Sequence, residues 1–213
     1  MTLKITAEIL LSGYAQGIFP MAENQDSPEL HWINPQRRGV FPLDGFKISR
    51  SLRRRIRQEN YSVSVNSAFN DVVSQCAGRN ETWINAPLAR LYDTLHQRGH
   101  AHSLEIWQDE VLTGGVFGIT LGQAFFGESM FSKRRDASKI ALAYLVDRLR
   151  QAGFSLFDTQ FLTPHLASLG AIEIPRAAYR KLLADALTNA ADFNAPGSPP
   201  DAQEMLQRTN HTS

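Results

Sequence analysis

The 213-residue sequence predicts an α+β fold: a mixed, mainly antiparallel sheet with flanking helices, preceded by a small N-terminal module. Three observations lead there. Residues 101–107, 111–119 and 123–128 are apolar segments with short polar joints, the pattern of an antiparallel meander. From residue 137 onward, helical and strand patterns alternate, which adds further layers to the same sheet. Before residue 37, a short helical pattern runs into a stretch rich in Pro, Gly and Asn.

In chain order, residues 5–16 read as a helix with Ile5, Ile9 and Leu10 on its apolar side, ended by Gly17-Ile18-Phe19-Pro20. The stretch to Pro42 is rich in Pro, Gly and Asn, with Trp32 and Phe41 as its anchors. Ser49 can cap a helix in which Leu52 and Ile56 continue the spacing begun by Ile48. Residues 61–65 alternate as a strand, and a helix runs from Ser67 through Cys76. Asn85-Ala86-Pro87 opens a helix whose stripe is Leu88, Leu91, Tyr92 and Leu95, with Gly99 at its end. After the meander come a helix over 137–150, a strand over 154–158, a short helix near 164–169, a strand over 171–174 and a helix from about residue 176 to 187. These divide the chain into a module at 1–36, a main domain at 37–194 and a tail at 195–213. The tail, APGSPPDAQEMLQRTNHTS, shows no sustained apolar pattern and reads as disordered.

Composition narrows the function. With 43% hydrophobic residues the chain can bury a substantial core. No apolar run approaches the roughly 20 residues of a membrane span, and the N-terminus lacks an export-signal pattern, so a cytoplasmic protein with no membrane partner is expected. Cys76 is the only cysteine and reads as a buried small hydrophobe. The net charge of +1 is uninformative, but residues 37–57 hold eight basic side chains against one acidic one, Asp44, a segment that can attract a polyanion. His96, His100 and His102 are close in sequence but have neither an HExxH context nor a cysteine pair, so no metal site and no cofactor are expected. GESMF is not a GxSxG nucleophile elbow, and no phosphate-binding glycine motif occurs.

Three polar residues remain. Asp158 and Gln160 are two apart on a strand, so both side chains can reach one reacting group, or simply close a strand end by hydrogen bonding. Glu128 ends another strand and can serve a substrate or pair with Lys133 or Lys139. A meander followed by a loop and a helix suits an N-acyltransferase. The loop here is Lys133-Arg134-Arg135-Asp136, without the glycines that cradle the pyrophosphate of an acyl-CoA donor.

In order, GYAQGIFPM, Trp83-Ile84, HAHSLEIW, GGVFG, FFGESMFS, DASKIAL, Asp158-Thr159-Gln160 and HLASLGAIEIPR resemble the leucyl/phenylalanyl-tRNA–protein transferases, a resemblance that covers nearly residues 5–185. The resemblance implies a GCN5-related acetyltransferase-like C-terminal domain and a monomeric cytoplasmic enzyme. It implies transfer of leucine, phenylalanine or sometimes methionine from Leu-tRNA or Phe-tRNA to proteins with N-terminal Arg or Lys, creating an N-degron read by ClpS–ClpAP. By position it implies catalytic roles for Asp158, Gln160 and Glu128, and adenosine contacts for Trp83 and Met21. It further implies an aminoacyl pocket around Phe125, Met130, Leu145 and Phe157, and tRNA-backbone contacts from Arg50, Arg54 and Arg57. Met21 stands where many relatives have tryptophan, and Leu145 where well-known relatives have phenylalanine. On this basis Asp158 polarises and orients Gln160, whose side-chain oxygen receives the attacking amine's hydrogen bond, while Glu128 helps bind the donor's α-amino group. Two other readings compete: an acyl-CoA-dependent N-acetyltransferase and a non-catalytic tRNA-binding module.

Overall fold

The computed structural model describes residues 5–78 and 82–210. The N-terminal module contains α1 (Ala7–Ala15), capped by Thr6 Oγ1 accepting from Ile9 N–H, and a two-stranded antiparallel sheet, β1 (Phe19–Ala22) with β2 (Leu30–Ile33). β3 (Arg37–Phe41) then enters the main sheet. Next come α2 (Arg50–Arg57), β4 (Ser62–Val65), α3 (Phe69–Ala77) and α4 (Ala86–Gln97). Ser49 and Asn85 cap α2 and α4 by accepting from Leu52 N–H and Leu88 N–H, as their side chains suggest.

β5 (Ala101–Gln108), β6 (Val111–Leu121) and β7 (Ala124–Ser132) form the expected antiparallel meander. α5 (Ala137–Gln151), β8 (Leu156–Gln160), α6 (Pro164–Ser168), β9 (Ile172–Pro175), α7 (Arg176–Ala186) and α8 (Ala202–Asn210) complete the chain. The main sheet has the order β4-β5-β6-β7-β8-β3-β9 among the described residues. β7 and β8 run parallel; β3 inserts antiparallel between β8 and β9.

Strand alternation sends neighbouring side chains into different cores. Phe125 and Phe157 join α2, α5 and α8 on one face, while Phe126 and Leu156 join α1, α3, α4 and α7 on the other. α5 lies very close to β6: a Cβ on Gly114 would stand 2.6 Å from Ala137 Cβ. Glycine is needed there for approach.

The stretch before Pro42, to which the sequence pattern assigns no element, supplies β1, β2 and β3. One expectation is corrected. The tail to residue 210 is not disordered: Ala202, Met205 and Leu206 repeat at helical spacing, are buried, and dock α8 against α2 and α5. Arg148 anchors the approach to it, donating from Nε to Phe193 O at 2.8 Å and from Nη1 and Nη2 to Gly197 O at 3.0 and 2.9 Å. The small Ala202 and the Pro-Gly-Ser composition masked this short apolar stripe. Residues 211–213 of the tail lie outside the described residues.

Met205 has no exposed surface. Met205→Ala should therefore lower unfolding free energy in urea by about 2–5 kcal/mol. A cost below about 0.5 kcal/mol would show that α8 is not docked in solution.

Candidate active site at the split of the parallel strands

β7 and β8 are in register at Ala124↔Leu156, Phe125↔Phe157 and Phe126↔Asp158, and there their pairing stops. Each strand continues, so the sheet opens between them. Two residues past the last pair, Glu128 and Gln160 face each other across the opening, with Gln160 Nε2 donating to Glu128 Oε1 at 3.0 Å. The sequence separates them by 32 positions; the split sheet joins them.

Both sit at bulges. Phe117 pairs with Ser129 and Gly118 with Gly127, so Glu128 is the extra residue on β7. Gly39 pairs with Gln160 and Val40 with Asp158, so Thr159 is the extra residue on β8. Bulges re-aim side chains that a regular ladder would hold in strict alternation. A Cβ on Gly39 would stand 2.6 Å from the Phe161 carbonyl carbon and 2.8 Å from Thr159 Oγ1, so only glycine fits opposite this bulge. Gln160 itself has φ 63°, a left-handed conformation that costs a non-glycine residue of order 1 kcal/mol and must be held in place.

Asp158 does the holding. Its Oδ1 accepts the Gln160 backbone N–H at 2.7 Å. The same carboxylate receives Arg38 Nε at 2.9 and 3.1 Å, Arg38 Nη2 at 2.7 Å and the Tyr179 hydroxyl at 2.6 Å. Arg38 is 1% exposed, with its guanidinium carbon 4.5 Å from the ring centroids of both Phe19 and Tyr179. Its Nη1 donates to Gly17 O at 3.1 Å, which ties the N-terminal module to β8. Burial opposes the guanidinium's charge, but Asp158 outweighs it and raises the Arg38 pKa. Asp158 therefore does not polarise the Gln160 carboxamide, as expected from sequence; it fixes the main chain that carries it. The carboxamide is oriented by Glu128 instead.

Glu128 is 6% exposed and meets neither Lys133 nor Lys139; Lys139 pairs with Asp136 at 2.9 Å. Its Oε1 also accepts from the Tyr14 hydroxyl at 2.7 Å, and Oε2 accepts from the Tyr92 hydroxyl at 2.9 Å. Loss of hydration pushes the Glu128 carboxyl up from 4.5 to about 7, against the three hydrogen bonds that favour its charged form. A buried carboxyl poised near neutrality can hold an ammonium group or exchange a proton.

The remaining expected residues fall around this centre. Ala22 N–H donates to Trp83 O at 3.4 Å, bringing the Met21 and Trp83 segments together on one side. Phe125, Leu145 and Phe157 are buried in one core cluster, and half-buried Met130 packs against it. Phe125 meets Phe157 edge-on, with centroids 5.3 Å apart. Arg50, Arg54 and Arg57 are exposed on α2. Arg37 and Arg38, counted from sequence in the same basic segment, are instead bound to Glu173 and Asp158. His96 and His102 contact the carbonyls of Ala101 and Gly99 and stack on Phe69 and Phe193. No group of three or more His, Cys, Asp or Glu side chains among the described residues is placed to hold a metal ion.

Arg38, Tyr14, Tyr92 and Tyr179 were not singled out as site residues from sequence. Tyr14 lies inside the GYAQGIFPM motif, the one available signal; Tyr92 was absorbed into an apolar helical stripe, which its ring does join.

The leucyl/phenylalanyl-tRNA protein transferase family model matches residues 40–184, and the model of that family's N-terminal domain matches residues 4–36. A leucyl/phenylalanyl-tRNA–protein transferase of Cereibacter sphaeroides is 61% identical over 209 residues, covering 98% of each chain. One from Ruegeria pomeroyi is 60% identical over 213 residues, covering 99% of this chain and all of the relative. Among solved structures, FemX aligns with a TM-score of 0.50 and 11% identity, over 84% of this chain and 72% of its own, a likeness of fold alone.

Arg38→Met leaves Asp158 buried without its cation and should destabilise the fold by about 3–5 kcal/mol in urea titration. A loss below about 1 kcal/mol would show that the pair does not hold the site together. A second test uses pH. Because the folded-state pKa of Glu128 lies above its ordinary 4.5, its contribution favours folding fully below that value and is lost as pH rises through about 7. Relative to Glu128→Gln, the wild type should thus lose about 3 kcal/mol between pH 4.5 and pH 8. Parallel stability profiles for the two proteins would refute the shift.

Proposed function

The chain belongs to the leucyl/phenylalanyl-tRNA protein transferase family, and on that premise we propose that it transfers a leucyl or phenylalanyl group from charged tRNA to the α-amine of proteins beginning with Arg or Lys. The observation that carries the residue assignment is the Gln160–Glu128 contact across the split strands, with Asp158 fixing Gln160 from behind. The product is an N-degron passed to ClpS–ClpAP, and the work is done by a monomer in the cytoplasm. No helix among the described residues is long and apolar enough to cross a membrane.

The reaction is aminolysis of an ester. The acceptor amine, in its neutral form, attacks the aminoacyl carbonyl carbon; a C–N bond forms, the C–O bond to the terminal ribose breaks, and the amine proton ends on the ribose oxygen. An ester is already activated, so the step needs no ATP, and positioning supplies much of the rate. Glu128 holds Gln160 through Nε2, which leaves the carboxamide Oε1 to accept a hydrogen bond from the amine as positive charge develops on nitrogen. A carboxamide is too weak a base to keep that proton, so Gln160 orients and stabilises. Glu128 Oε2 accepts only from Tyr92 among the described residues, and its remaining lone pair receives the donor's α-amino group. Trp83 and Met21 flank the terminal adenosine, Met21 giving a smaller stacking surface than an aromatic ring. Phe125, Met130, Leu145 and Phe157 select an unbranched-β apolar side chain by shape. A methylene is worth about 1–3 kcal/mol there, so discrimination among Leu, Phe and Met is finite.

Single-turnover rates with saturating Leu-tRNA and an Arg-starting peptide test the assignment. Asp158→Asn, Gln160→Ala and Glu128→Gln should each slow transfer by about 10²-fold or more, while binding of charged tRNA changes little for the first two. Near-normal rates for both Asp158→Asn and Gln160→Ala would remove these residues from the mechanism.

A further inference from the structure

α2 does not present its arginines as one undivided face. Ser51, Arg54, Arg55 and Gln58 recur at i, i+3, i+4 and i+7, so they share one side of the helix. That side meets the β7–α5 loop: together with Arg135 and Asp136 these four residues line a notch of about 130 Å³. Arg57 belongs elsewhere, in a separate cavity beside Glu59 and the first turns of α8. Arg54 is thus the member of the expected tRNA-binding trio that turns toward the loop.

The notch is strongly cationic. Three arginines, Arg54, Arg55 and Arg135, are among the six residues that line it. Its single carboxylate, Asp136, is engaged by Lys139 at 2.9 Å and lies 3.7 Å from Arg135. Arg55 donates to Gln58 Oε1 at 3.3 Å, which orients its planar head at the wall. Arg135 is 81% exposed at its side chain, so an incoming group can reach it. A planar guanidinium fork binds the oxygens of a phosphate or a carboxylate two at a time, and three arginines around one hollow suit an anionic group such as a phosphodiester.

Position identifies the occupant. β7 carries Glu128 and ends at Ser132, and at about 3.4 Å per residue those four steps span about 14 Å. The notch opens just past that end. At about 3.4 Å per stacked nucleotide, the separation corresponds to a handful of nucleotides. A polynucleotide with its 3′ end at Gln160 that leaves along β7 reaches the notch with a phosphate a few nucleotides inside that end. The loop occupies the position where a glycine-rich turn would offer backbone amides to pyrophosphate; here arginine side chains from two elements surround the space instead.

We infer that Arg54 and Arg55 of α2 and Arg135 of the β7–α5 loop form one phosphate-binding notch for the acceptor arm of the tRNA. The inference rests on the aminoacyl-tRNA reading above and adds a contact outside the basic helix. It also assigns the loop a purpose independent of base identity, since phosphate contacts position an RNA without reading it.

The test compares donors. For Arg135→Ala and Arg55→Ala, kcat/KM is measured with Leu-tRNA and with leucyl-adenosine, which ends before the notch. The ratio of the two should fall about fivefold to tenfold in each variant, and the slope of log affinity against log salt for Leu-tRNA should become shallower by about one. The Arg54→Ala/Arg135→Ala pair should lose less than the product of its single losses, because both arginines hold the same phosphate. Unchanged ratio and slope in Arg135→Ala, alongside a clear loss in Arg50→Ala, would overturn the notch and leave the tRNA reading standing. Equal loss with both donors would also overturn it, as damage to the fold. Failure of the wild-type enzyme to use any charged tRNA would instead defeat the reading on which the notch depends.

Discussion

The buried Arg38–Asp158 pair is the constraint from which the site takes its shape. Two charges at 1% and 0% side-chain exposure are costly unless every lone pair and donor nearby is engaged. Here the carboxylate is met by a guanidinium fork, a phenol and a backbone amide, while the guanidinium is covered by two aromatic faces and a carbonyl. The geometry needs arginine: lysine offers one compact charge and could not engage both carboxylate oxygens and Gly17 O from a planar head. Because one of the three groups bonded to Asp158 is the Gln160 N–H, the pair also holds a residue in a conformation its own backbone disfavours. Structural and chemical order at β8 are therefore the same order.

Glu128 completes this arrangement in the opposite manner. Asp158 is bonded to a cation, whereas the hydrogen bonds Glu128 accepts among the described residues come from neutral donors: two phenols and a carboxamide. The two carboxylates, at the end of adjacent strands, are thereby separated in role by their partners. One is a fixed counter-ion. The other retains capacity for a charged substrate and a proton affinity near neutrality. The parallel pair provides the space between them by ceasing to pair, and the two bulges turn the side chains into it.

Much of this was legible in the sequence. The meander, the long helix after it and the later strand–helix alternation follow from periodicity and capping, and Asp158, Gln160 and Glu128 stand out as polar residues in apolar strands. What escaped was long-range pairing. β3 reads RRGVF, and two leading arginines look like exposed charge until Asp158 and Glu173 are placed beside them across more than a hundred residues. Likewise, spacing on a strand groups Asp158 with Gln160, but it could not foresee a bulge at Thr159, the left-handed turn at Gln160 or a bond from the Gln160 backbone rather than its side chain. α8 escaped because a stripe of one alanine, one methionine and one leucine is weak until a ready-made groove between α2 and α5 receives it.

The Tyr14–Glu128 hydrogen bond has a consequence for modularity. Tyr14 belongs to α1, in the segment matched by its own family model, while Glu128 lies deep in the other. The boundary that is visible in sequence comparison thus runs through the middle of the candidate site, and through the cover of Arg38 as well. Exchanging the N-terminal segment between distant relatives would therefore swap part of that candidate site, not an accessory. The two segments are coupled through buried hydrogen bonds, one fold written as two modules.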